Sequence, residues 1–530
     1  MRLILTVLAI VGVLNPSLLV SALGFKEVPT NANSLIQQWH KQEQQAQGGE
    51  FGSHGWWPWG VGGFDYDNDG DVDLYLSHHG TPGGKILVNQ LIPSGVLEFN
   101  ILSTKQKLPS ADDKPWFFDF DGDGWLDIAA FSDEKKNPYV MNKQGEFEVA
   151  SPKETFSPVS YPKTVLDINQ DGYLDLDAGR KGAFYYQADK QIFQHDKNYS
   201  SSDNHLLPAK YQQIEQELKA NNKKNRFFRS NTYQHFINRS PIPSPMLTPI
   251  DLNNDQQSDI IVAGHGGYGG DHLGWYFLAS NYGYTLSNEQ LNLPDHATPI
   301  FLGDLNGDQR QDLITTGKGK GDVYLQSDKG FVKQNSPLSK MLNAGAPYLV
   351  RVFAVDFDND RDLDLLLSNP RKKYGKVWEN DGKGKFKQVL SFNGWDSNPV
   401  FITDLNNDLR QDIVIGGATN QQLQVFLNTG QNQQNNLYIY PRYKHPNPYA
   451  VDAIVKIYQG EKLIDQQRAR WDGLPLVFSL GKLSKVSAEI TFSDGTIERY
   501  ENLVANHSYT LIYKGGKFIG HISAHLVALY

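Results

Sequence analysis

The stretch that decides the fold is FDYDNDGDVDLYL at residues 64–76. Its aspartates recur at short intervals and would repel one another on a regular strand or helix: Asp65, Asp67, Asp69 and Asp73. In a tight loop their oxygen atoms converge on one point, and Ca²⁺ prefers such hard oxygen ligands. Gly70 permits the left-handed backbone that this loop needs. An EF-hand would need a glutamate where Leu76 stands, and the following DLYL alternates as a β-strand. The stretch therefore predicts a calcium loop between two strands.

The same nine-residue frame occurs seven times in the chain. Every copy has Asp at positions 1, 5 and 9 and Asp or Asn at position 3. Only the third interval between copies is long, which places an insertion at about 194–245. The copies are residues 65–73 (loop 1), 119–127 (DFDGDGWLD, loop 2), 167–175 (DINQDGYLD, loop 3), 251–259 (DLNNDQQSD, loop 4), 304–312 (DLNGDQRQD, loop 5), 356–364 (DFDNDRDLD, loop 6) and 404–412 (DLNNDLRQD, loop 7).

Each repeat contains the signals of four strands. An apolar run precedes each loop, a short apolar strand follows position 9, and a hairpin comes after a variable segment. Seven four-stranded repeats predict an all-β fold, a seven-bladed β-propeller. Residues 25–28 (FKEV) match the fourth strand at 386–389 (FKQV), whereas the seventh repeat has no clear fourth strand. We therefore expect residues 25–28 to complete the last blade, which removes two exposed sheet edges.

The remaining segments predict an exported protein of two domains. Residues 1–22 contain Arg2, a short apolar run and Val20-Ser21-Ala22, as a signal peptide does, and the run is too short to span a membrane. The propeller occupies 23–435, with predicted helices within 30–55 and at 207–224. Residues 436–530 alternate as β-strands with DG and GG turns and predict a smaller β-domain.

Composition limits the partners and the compartment. The chain has no cysteine, so neither a disulfide nor a lipidated cysteine is available. Its net charge of −9 comes largely from the loop aspartates and does not indicate a basic partner. We expect a monomer without a membrane span or nucleic-acid ligand, in a secreted, periplasmic or cell-surface location.

Two parts of the chain resemble known families. GDLNGDQRQDLI (303–314) and the opening stretch resemble the FG-GAP/VCBS repeats of integrin α-chain-type propellers, and this resemblance covers 25–428. NPYAVDAIVKIY (447–458), LVFSLGKLSKVSAEITFSDGTIE (476–498) and ANHSYTL (505–511) resemble the ASPIC/UnbV domain of the cartilage acidic protein family. The tail departs from that family at 449–453, where YAVDA replaces a glycine-rich strand start. The resemblance implies a calcium-stabilised protein of adhesion or carbohydrate contact.

The same resemblance implies up to seven Ca²⁺ ions, held by side chains at positions 1, 3, 5 and 9 and by the carbonyl at position 7. The implied ligand residues are Asp65, Asp67, Asp69, Asp71, Asp73, Asp119, Asp121, Asp123, Trp125, Asp127, Asp167, Asn169, Asp171, Tyr173, Asp175, Asp251, Asn253, Asp255, Gln257, Asp259, Asp304, Asn306, Asp308, Arg310, Asp312, Asp356, Asp358, Asp360, Asp362, Asp364, Asp404, Asn406, Asp408, Arg410 and Asp412.

The loops differ in two ways that affect affinity. Position 6 is glycine in loops 1–3 but Gln256, Gln309, Arg361 or Leu409 later, where a left-handed conformation costs about 1 kcal/mol. Position 3 is asparagine in loops 3, 4, 5 and 7, which removes one charge each. We expect tighter sites early in the chain. The alternative is that late loops are held by side-chain to backbone hydrogen bonds without metal.

The face opposite the Asp-rich loops is the predicted ligand face. Its loops carry cations from several blades and a histidine group, and cations around one mouth attract anions. Histidine and tyrosine there suit either acid–base chemistry or sugar contacts. Lysine-rich loops, however, are usually solvated turns, and adjacent loop histidines are more often plain surface residues. The candidates are His78, His79, His265, Tyr268, His272, Arg371, Lys372 and Lys373.

The leading functional hypothesis is a non-catalytic, calcium-dependent binding protein for a glycan or an extracellular protein, with an anionic ligand included. The sequence contains no GxSxG motif, no HExxH motif and no phosphate-binding glycine loop, which are the motifs that would indicate an enzyme. The alternative is a polysaccharide lyase or related carbohydrate enzyme, and a purely structural role is a third reading.

Overall fold

The structure is a computed structural model that describes residues 23–46, 56–79, 84–103, 108, 116–129, 139–149, 164–177, 182–190, 192–199, 251–253, 255–257, 259–265, 272–280, 283–295, 297–317, 319–344, 350–369, 374–393, 400–417, 422–430 and 434–513. The predicted signal peptide at 1–22 and the predicted helix at 207–224 lie outside these residues. No helix within them has the length and apolar character needed to cross a bilayer.

Small antiparallel sheets follow one another along the chain, as the repeats predict. Before residue 435 the described residues form seven sheets. In six of them the strands are neighbours in chain order, and the seventh also contains the N-terminal strand. Their strands are β2 (Trp56–Phe64), β3 (Asp73–His79), β4 (Lys85–Asn89) and β5 (Phe99–Ile101) in sheet 1; β6 (Trp116–Phe118), β7 (Asp127–Ala129), β8 (Tyr139–Lys143) and β9 (Glu146–Val149) in sheet 2; β10 (Thr164–Leu166), β11 (Asp175–Asp177), β12 (Ala183–Gln187) and β13 (Ile192–Asp196) in sheet 3; β14 (Ile260–His265), β15 (His272–Ser280) and β16 (Gly283–Leu286) in sheet 4; β17 (Thr298–Gly303), β18 (Asp312–Thr316), β19 (Val323–Ser327) and β20 (Gly330–Lys333) in sheet 5; β21 (Arg351–Val355), β22 (Asp364–Asn369), β23 (Tyr374–Asn380) and β24 (Phe386–Asn393) in sheet 6; and β25 (Val400–Thr403), β26 (Asp412–Gly417), β27 (Gln422–Asn428) and β1 (Phe25–Val28) in sheet 7.

The N-terminal strand completes the last sheet, and this prediction is confirmed. β1 pairs antiparallel with β27, from Phe25 opposite Asn428 to Val28 opposite Val425. The predicted helix is also present as α1 (Ala32–Ala46). The amide of Asn33 exchanges two hydrogen bonds with the backbone of Leu423 in sheet 7 (2.6 and 3.0 Å). This segment therefore ties the start of the chain to the seventh sheet.

Apolar clusters join most of the consecutive sheets. One core cluster joins sheets 1, 2 and 3, and others join sheets 4 and 5, 5 and 6, 6 and 7, and 7 and 1. α1 packs in the last of these clusters through Ile36 and Trp39, which are 1% and 5% exposed. Two short helices, α2 (Leu91–Ser94) and α3 (Ser339–Leu342), complete this part of the chain.

A recurring amide side chain links neighbouring sheets. It stands at the end of the third strand of a sheet and donates to a carbonyl in the loop of the preceding sheet. Among the described residues five such bonds occur: Asn142 to Tyr66 O (2.7 Å), Gln326 to Asp251 O (3.3 Å), Asn380 to Leu305 O (2.9 Å), Asn428 to Phe357 O (2.8 Å) and Asn89 to Leu405 O (3.1 Å). Because the last bond joins sheet 1 to loop 7, the first sheet follows the last one in space.

The described residues of the C-terminal region form β-strands and no helix, as predicted. The region forms a three-stranded sheet from β31, β28 and β34, in which β28 and β34 are parallel, and a four-stranded sheet from β30, β29, β32 and β33. Their bounds are β28 (Asn435–Arg442), β29 (Ile454–Gln459), β30 (Lys462–Arg468), β31 (Leu476–Gly481), β32 (Lys485–Thr491), β33 (Ile497–Val504) and β34 (Ser508–Ile512). The two sheets enclose their own core, and we call residues 434–513 the C-terminal domain.

Candidate metal centres

All seven Asp-rich loops have the same internal hydrogen-bond scaffold. In loop 1 the carboxylate of Asp65, at position 1, accepts the N–H groups of Asp69 (3.1 Å) and Gly70 (3.0 Å). Asp69, at position 5, accepts the N–H of Asp71 (3.0 Å). The same three bonds recur in loops 2–7. Positions 1 and 5 therefore shape the loop as well as offering oxygen ligands.

The loop backbone is left-handed at two positions. Position 6 has a positive φ in every copy, as predicted, including Arg361 (80°) and Leu409 (64°), where a side chain is present. Position 4 is also left-handed wherever it is described: Asn68, Gly122, Gln170, Gly307, Asn359 and Asn407. We did not predict position 4, although its enrichment in glycine and asparagine is the sequence signal for this conformation.

Position 9 has a structural role that we missed. In loop 5, Asp312 is fully buried, and its two oxygens accept the N–H groups of Leu305 and Gln326, both at 2.8 Å. The same pair of bonds occurs in all seven repeats, from position 2 and from the third strand or, in sheet 4, from Ala279 of β15. This aspartate joins the loop to its sheet, whether or not it also ligates a metal.

Replacing Asp312 by Ala should therefore destabilise the calcium-free protein by about 3 kcal/mol, because two buried N–H groups lose their acceptor. Part of this loss is offset, because the variant no longer buries a charged carboxylate. The cost of that burial is seen in the pKa of Asp312, which burial raises to about 6. Asp308→Ala in the same loop removes an exposed carboxylate and should cost less than about 1 kcal/mol. Urea unfolding of both variants in chelator measures the difference. Equal losses would contradict the structural role of position 9.

Three loops bring carboxylates together as a cation requires. In these loops, oxygens of three aspartates all lie within 4.8 Å of one another: Asp65, Asp67 and Asp73 in loop 1; Asp119, Asp121 and Asp127 in loop 2; and Asp356, Asp358 and Asp360 in loop 6. Within the described part of the chain, no such trio of acidic side chains occurs in the other four loops. Loops 1, 2 and 6 are those with aspartate at position 3.

The residues of these loops fit a calcium ion. Oδ1 of Asp67, Asp71, Asp121 and Asp362 is buried and accepts no hydrogen bond. Asp71 is only 1% exposed. A buried carboxylate oxygen without a donor is costly, and a hard cation is the partner that suits a group of such oxygens. In loops 1 and 6 an aspartate side chain at position 7 adds a carboxylate to the carbonyl that we expected there.

In the loops with asparagine at position 3, the carboxylate at position 5 has a hydrogen-bond donor within the loop. In loops 3, 4, 5 and 7 this amide donates from Nδ2 to the carboxylate at position 5, at 2.9–3.2 Å. The amide thus takes up an oxygen that aspartate would leave for a cation. This geometry agrees with the metal-free alternative for these loops. The difference follows position 3 rather than early or late place in the chain, because loop 6 belongs with loops 1 and 2.

In loop 2 a lysine from the neighbouring hairpin enters the acidic group. The Nζ atom of Lys143 donates to Asp121 and, at 2.7 Å, to Asp123. Both carboxylates are implied calcium ligands. In the calcium-free state the ammonium group neutralises part of the negative charge of the loop. A calcium ion in this loop has to share the carboxylates with the ammonium group or displace it.

Burial makes these carboxylates hard to ionise without a cation. Burial first, and then the charges of Asp69 and Asp67, raises the pKa of Asp65 to about 8. In loop 6, burial and the neighbouring aspartates raise the pKa of Asp362 to about 8. A carboxyl group with a raised pKa keeps its proton in the folded state at a pH where the unfolded chain has lost it.

The calcium-free protein should consequently become more stable as the pH falls from 8 to about 5. In this window the folded state binds more protons than the unfolded state, so the free energy of unfolding decreases as the pH rises. With calcium present, lowering the pH should no longer raise the stability, because protons compete with calcium for the same oxygens. Melting temperatures of calcium-depleted and calcium-loaded protein across this range measure both trends. Acid destabilisation of the depleted protein would contradict the prediction.

The predicted ligand-face residues lie only partly within the described chain. Tyr268, Arg371, Lys372 and Lys373 fall outside it, and so do the loops that carry them. The backbones of His78 and His79 end β3, at the end of sheet 1 remote from loop 1. His265 and His272 are directly opposite each other in β14 and β15, at the corresponding end of sheet 4. Strand direction thus places these four histidines away from the Asp-rich loops.

Comparisons with known proteins identify the repeats. Residues 119–176, 304–367 and 356–415 match the FG-GAP-like repeat, and each match begins at position 1 of an Asp-rich loop. No curated protein matches the chain. The resemblance of the tail to the ASPIC/UnbV domain and to the cartilage acidic protein family stays a prediction.

Solved structures give distant matches. A lectin of Agrocybe aegerita, solved with its recognition of non-reducing terminal N-acetylglucosamine, has 18% identity and a TM-score of 0.31 over 64% of this chain and 81% of the lectin. The extracellular domain of a protein described as a one-component system of B. thetaiotaomicron has 9% identity and a TM-score of 0.31. That match covers 93% of this chain and 58% of the bacterial chain, less than two thirds of its length. The chain thus contains FG-GAP-like repeats in an all-β, propeller-like fold.

Proposed function

We propose that the chain is an exported protein whose seven-bladed propeller is stabilised by calcium and binds a glycan or an extracellular protein. The observation that carries the calcium part is the convergence of three carboxylates in each of loops 1, 2 and 6, with buried oxygens that lack a hydrogen-bond donor. The order of the sheets, with sheet 1 bonded to loop 7, supports the closed ring. The FG-GAP-like repeats are compatible with a ligand-binding extracellular protein.

Counting bound calcium tests the first part of the proposal. Elemental analysis of protein purified in calcium buffer should find at least the ions of loops 1, 2 and 6. Asp358→Asn in loop 6 should remove one ion, because it converts that loop to the asparagine type. Asn306→Asp in loop 5 is the matched reverse change and should add one. Protein without calcium after purification in its presence would overturn the proposal.

A glycan and polyanion array, read with calcium and with chelator, tests the second part. We expect a bound glycan or polyanion whose signal is lost in chelator. If its ligand is anionic, Lys372→Ala with Lys373→Ala should weaken binding, and high salt should reduce the difference by screening. If no glycan or polyanion gives a signal, the ligand is expected to be a protein. Binding of extracellular proteins to the immobilised chain then tests this alternative.

One observation favours the lyase as a second candidate. The backbones of His265 and His272 face each other across β14 and β15, which brings two possible proton-transfer groups to one sheet end. Incubation with uronate-containing oligosaccharides distinguishes the candidates, because a lyase forms an unsaturated product that absorbs in the ultraviolet. Changing both histidines to Ala would abolish turnover in a lyase and only weaken affinity in a binding protein.

A further inference from the structure

The C-terminal domain lies on the Asp-rich loops. Its donors bond to carbonyl groups of loops 2, 6 and 7: Gln434 N–H to Asp358 O (2.8 Å), Gly481 N–H to Asn359 O (3.1 Å), Asn436 Nδ2 to Leu409 O (2.5 Å), Tyr449 Oη to Gly124 O (2.9 Å) and His445 Nδ1 to Gly122 O (2.9 Å). The Tyr449 hydroxyl also contacts Asn68 of loop 1 at 3.5 Å. The His445 ring also meets Tyr173 of loop 3 edge-on, with ring centroids 5.8 Å apart. The domain therefore contacts five Asp-rich loops, three of them through backbone carbonyls.

Aromatic and apolar packing reinforces these bonds. Tyr449, 4% exposed, belongs to the core cluster of sheets 1–3, and Trp471 stacks on Trp116 of sheet 2 with ring centroids 4.9 Å apart. Pro446 occupies the space beside Gly122, where an added Cβ would lie 2.6 Å from its carbonyl oxygen. The interface is thus fitted to the left-handed turn at position 4 of loop 2.

Four of the five contacted loops have buried side-chain oxygens without a hydrogen-bond donor, and loop 3 is the exception. Side-chain oxygens without a donor occur at Asp67 and Asp71 of loop 1, Asp121 of loop 2, Asp362 of loop 6 and Asn406 of loop 7. Among the described residues of loops 3, 4 and 5, by contrast, no buried side-chain oxygen lacks a hydrogen-bond partner. Covering a loop removes the water that would otherwise solvate its carboxylates.

Docking over empty loops is therefore unfavourable. A buried acceptor without a partner costs about 1–3 kcal/mol, and a charged one costs more. A cation in the loop supplies the missing partner and holds the carbonyls of positions 3, 4 and 6 in the geometry that the domain contacts.

We infer that the C-terminal domain is a calcium-dependent cap, which docks while loops 1, 2 and 6 hold calcium and is released when they are emptied. The inference rests on the proposed calcium binding. Coupling between docking and calcium is reciprocal, so the docked cap also retains the ions in these loops. Release exposes the aromatic surface formed by Trp116, Tyr449 and Trp471 and makes the loop face available to a partner.

Hydrogen exchange of the full chain tests release of the cap. The amides of Gln434 and Gly481 report docking directly, because each bonds to a carbonyl of loop 6. Chelation should raise their exchange rates by about fivefold or more, the lower end of common coupling strengths. The amides within β29 and β32 should keep their protection, since those strands pair with each other inside the domain.

Calcium release from a loosened interface is the second measurement. Tyr449→Phe with Trp471→Ala removes both loop contacts of the hydroxyl and one stacking contact and leaves every implied ligand in place. A chelating dye should report calcium release about fivefold faster than from the parent. Ile497→Ala, at a residue 55% exposed and outside the interface, is the control and should release calcium at the parental rate.

The outcomes separate the cap from calcium binding itself. One outcome overturns the cap alone. In it, the protein binds calcium, chelation leaves the exchange rates at Gln434 and Gly481 unchanged, and the double variant releases calcium at the parental rate. A protein that binds no calcium overturns the cap together with the proposed function. Where chelation exposes all amides at once, the double variant decides: faster release supports the cap, and parental release overturns it.

Discussion

Removal of calcium is expected to lower the free energy of unfolding by about 8 kcal/mol when the starting concentration is a hundredfold above the dissociation constants. A ligand at that excess stabilises the native state by about 2.7 kcal/mol per site, and loops 1, 2 and 6 provide three sites with converged carboxylates. Urea unfolding with calcium and with chelator measures the difference. It should appear as a lower midpoint and a lower melting temperature.

Single-loop variants assign the effect to particular sites. Asp358→Asn should reduce the calcium-dependent part of the stability by about 1–3 kcal/mol, because the amide both removes a charge and occupies the carboxylate at position 5. Asn306→Asp makes the reverse change in loop 5 and should increase it. An identical unfolding curve in calcium and in chelator would contradict the assignment of all three sites.

Deletion of residues 24–30 is expected to cost about 4 kcal/mol or more. β1 pairs with β27 along four residues, and Gly24 O accepts a further bond from Thr429 N–H at 2.7 Å. The Phe25 ring packs edge-on against Phe357 with centroids 5.2 Å apart. Losing this apolar contact and several hydrogen bonds adds up to that magnitude, and the free edge of β27 also invites aggregation.

The control for this deletion is Lys26→Ala, at an exposed position of β1. Its free energy of unfolding should stay within about 0.5 kcal/mol of the parent's. A synthetic peptide of residues 23–30 added to the truncated protein should restore part of the stability, because the pairing is antiparallel and local. If the truncated chain unfolds like the parent, β1 does not contribute to closing the seventh sheet in solution.

Much of the architecture could be predicted from the sequence, because it depends on local spacing. Aspartate at positions 1 and 5 bonds to N–H groups two to five residues away, so the frame dictates the loop. Glycine at position 6 marks the left-handed turn, and asparagine or glycine at position 4 marks a second one that we did not recognise. The match between residues 25–28 and 386–389 predicted the position of β1 because strands of equivalent place share a pattern.

Other features depend on residues far apart in the chain, and only the tertiary structure decided them. Asp312 at position 9 resembles a plain ligand until Gln326 of the third strand is seen to donate to it. The asparagines at the ends of third strands recur visibly, but Asn89 finds its acceptor, Leu405 O, 316 residues later. Side-chain partners of this kind follow from the closing of sheets in space, for which local spacing contains no signal.

The place of the C-terminal domain is the clearest example. Its strands could be recognised from alternation and turn residues, and its core is its own. Nothing in the sequence of Tyr449 indicates Gly124, 325 residues away, as its partner. A domain interface depends on the shape and exposed carbonyls of two folded surfaces, so the sequence by itself determined both domains and the loops, and the tertiary structure alone decided that one covers the other.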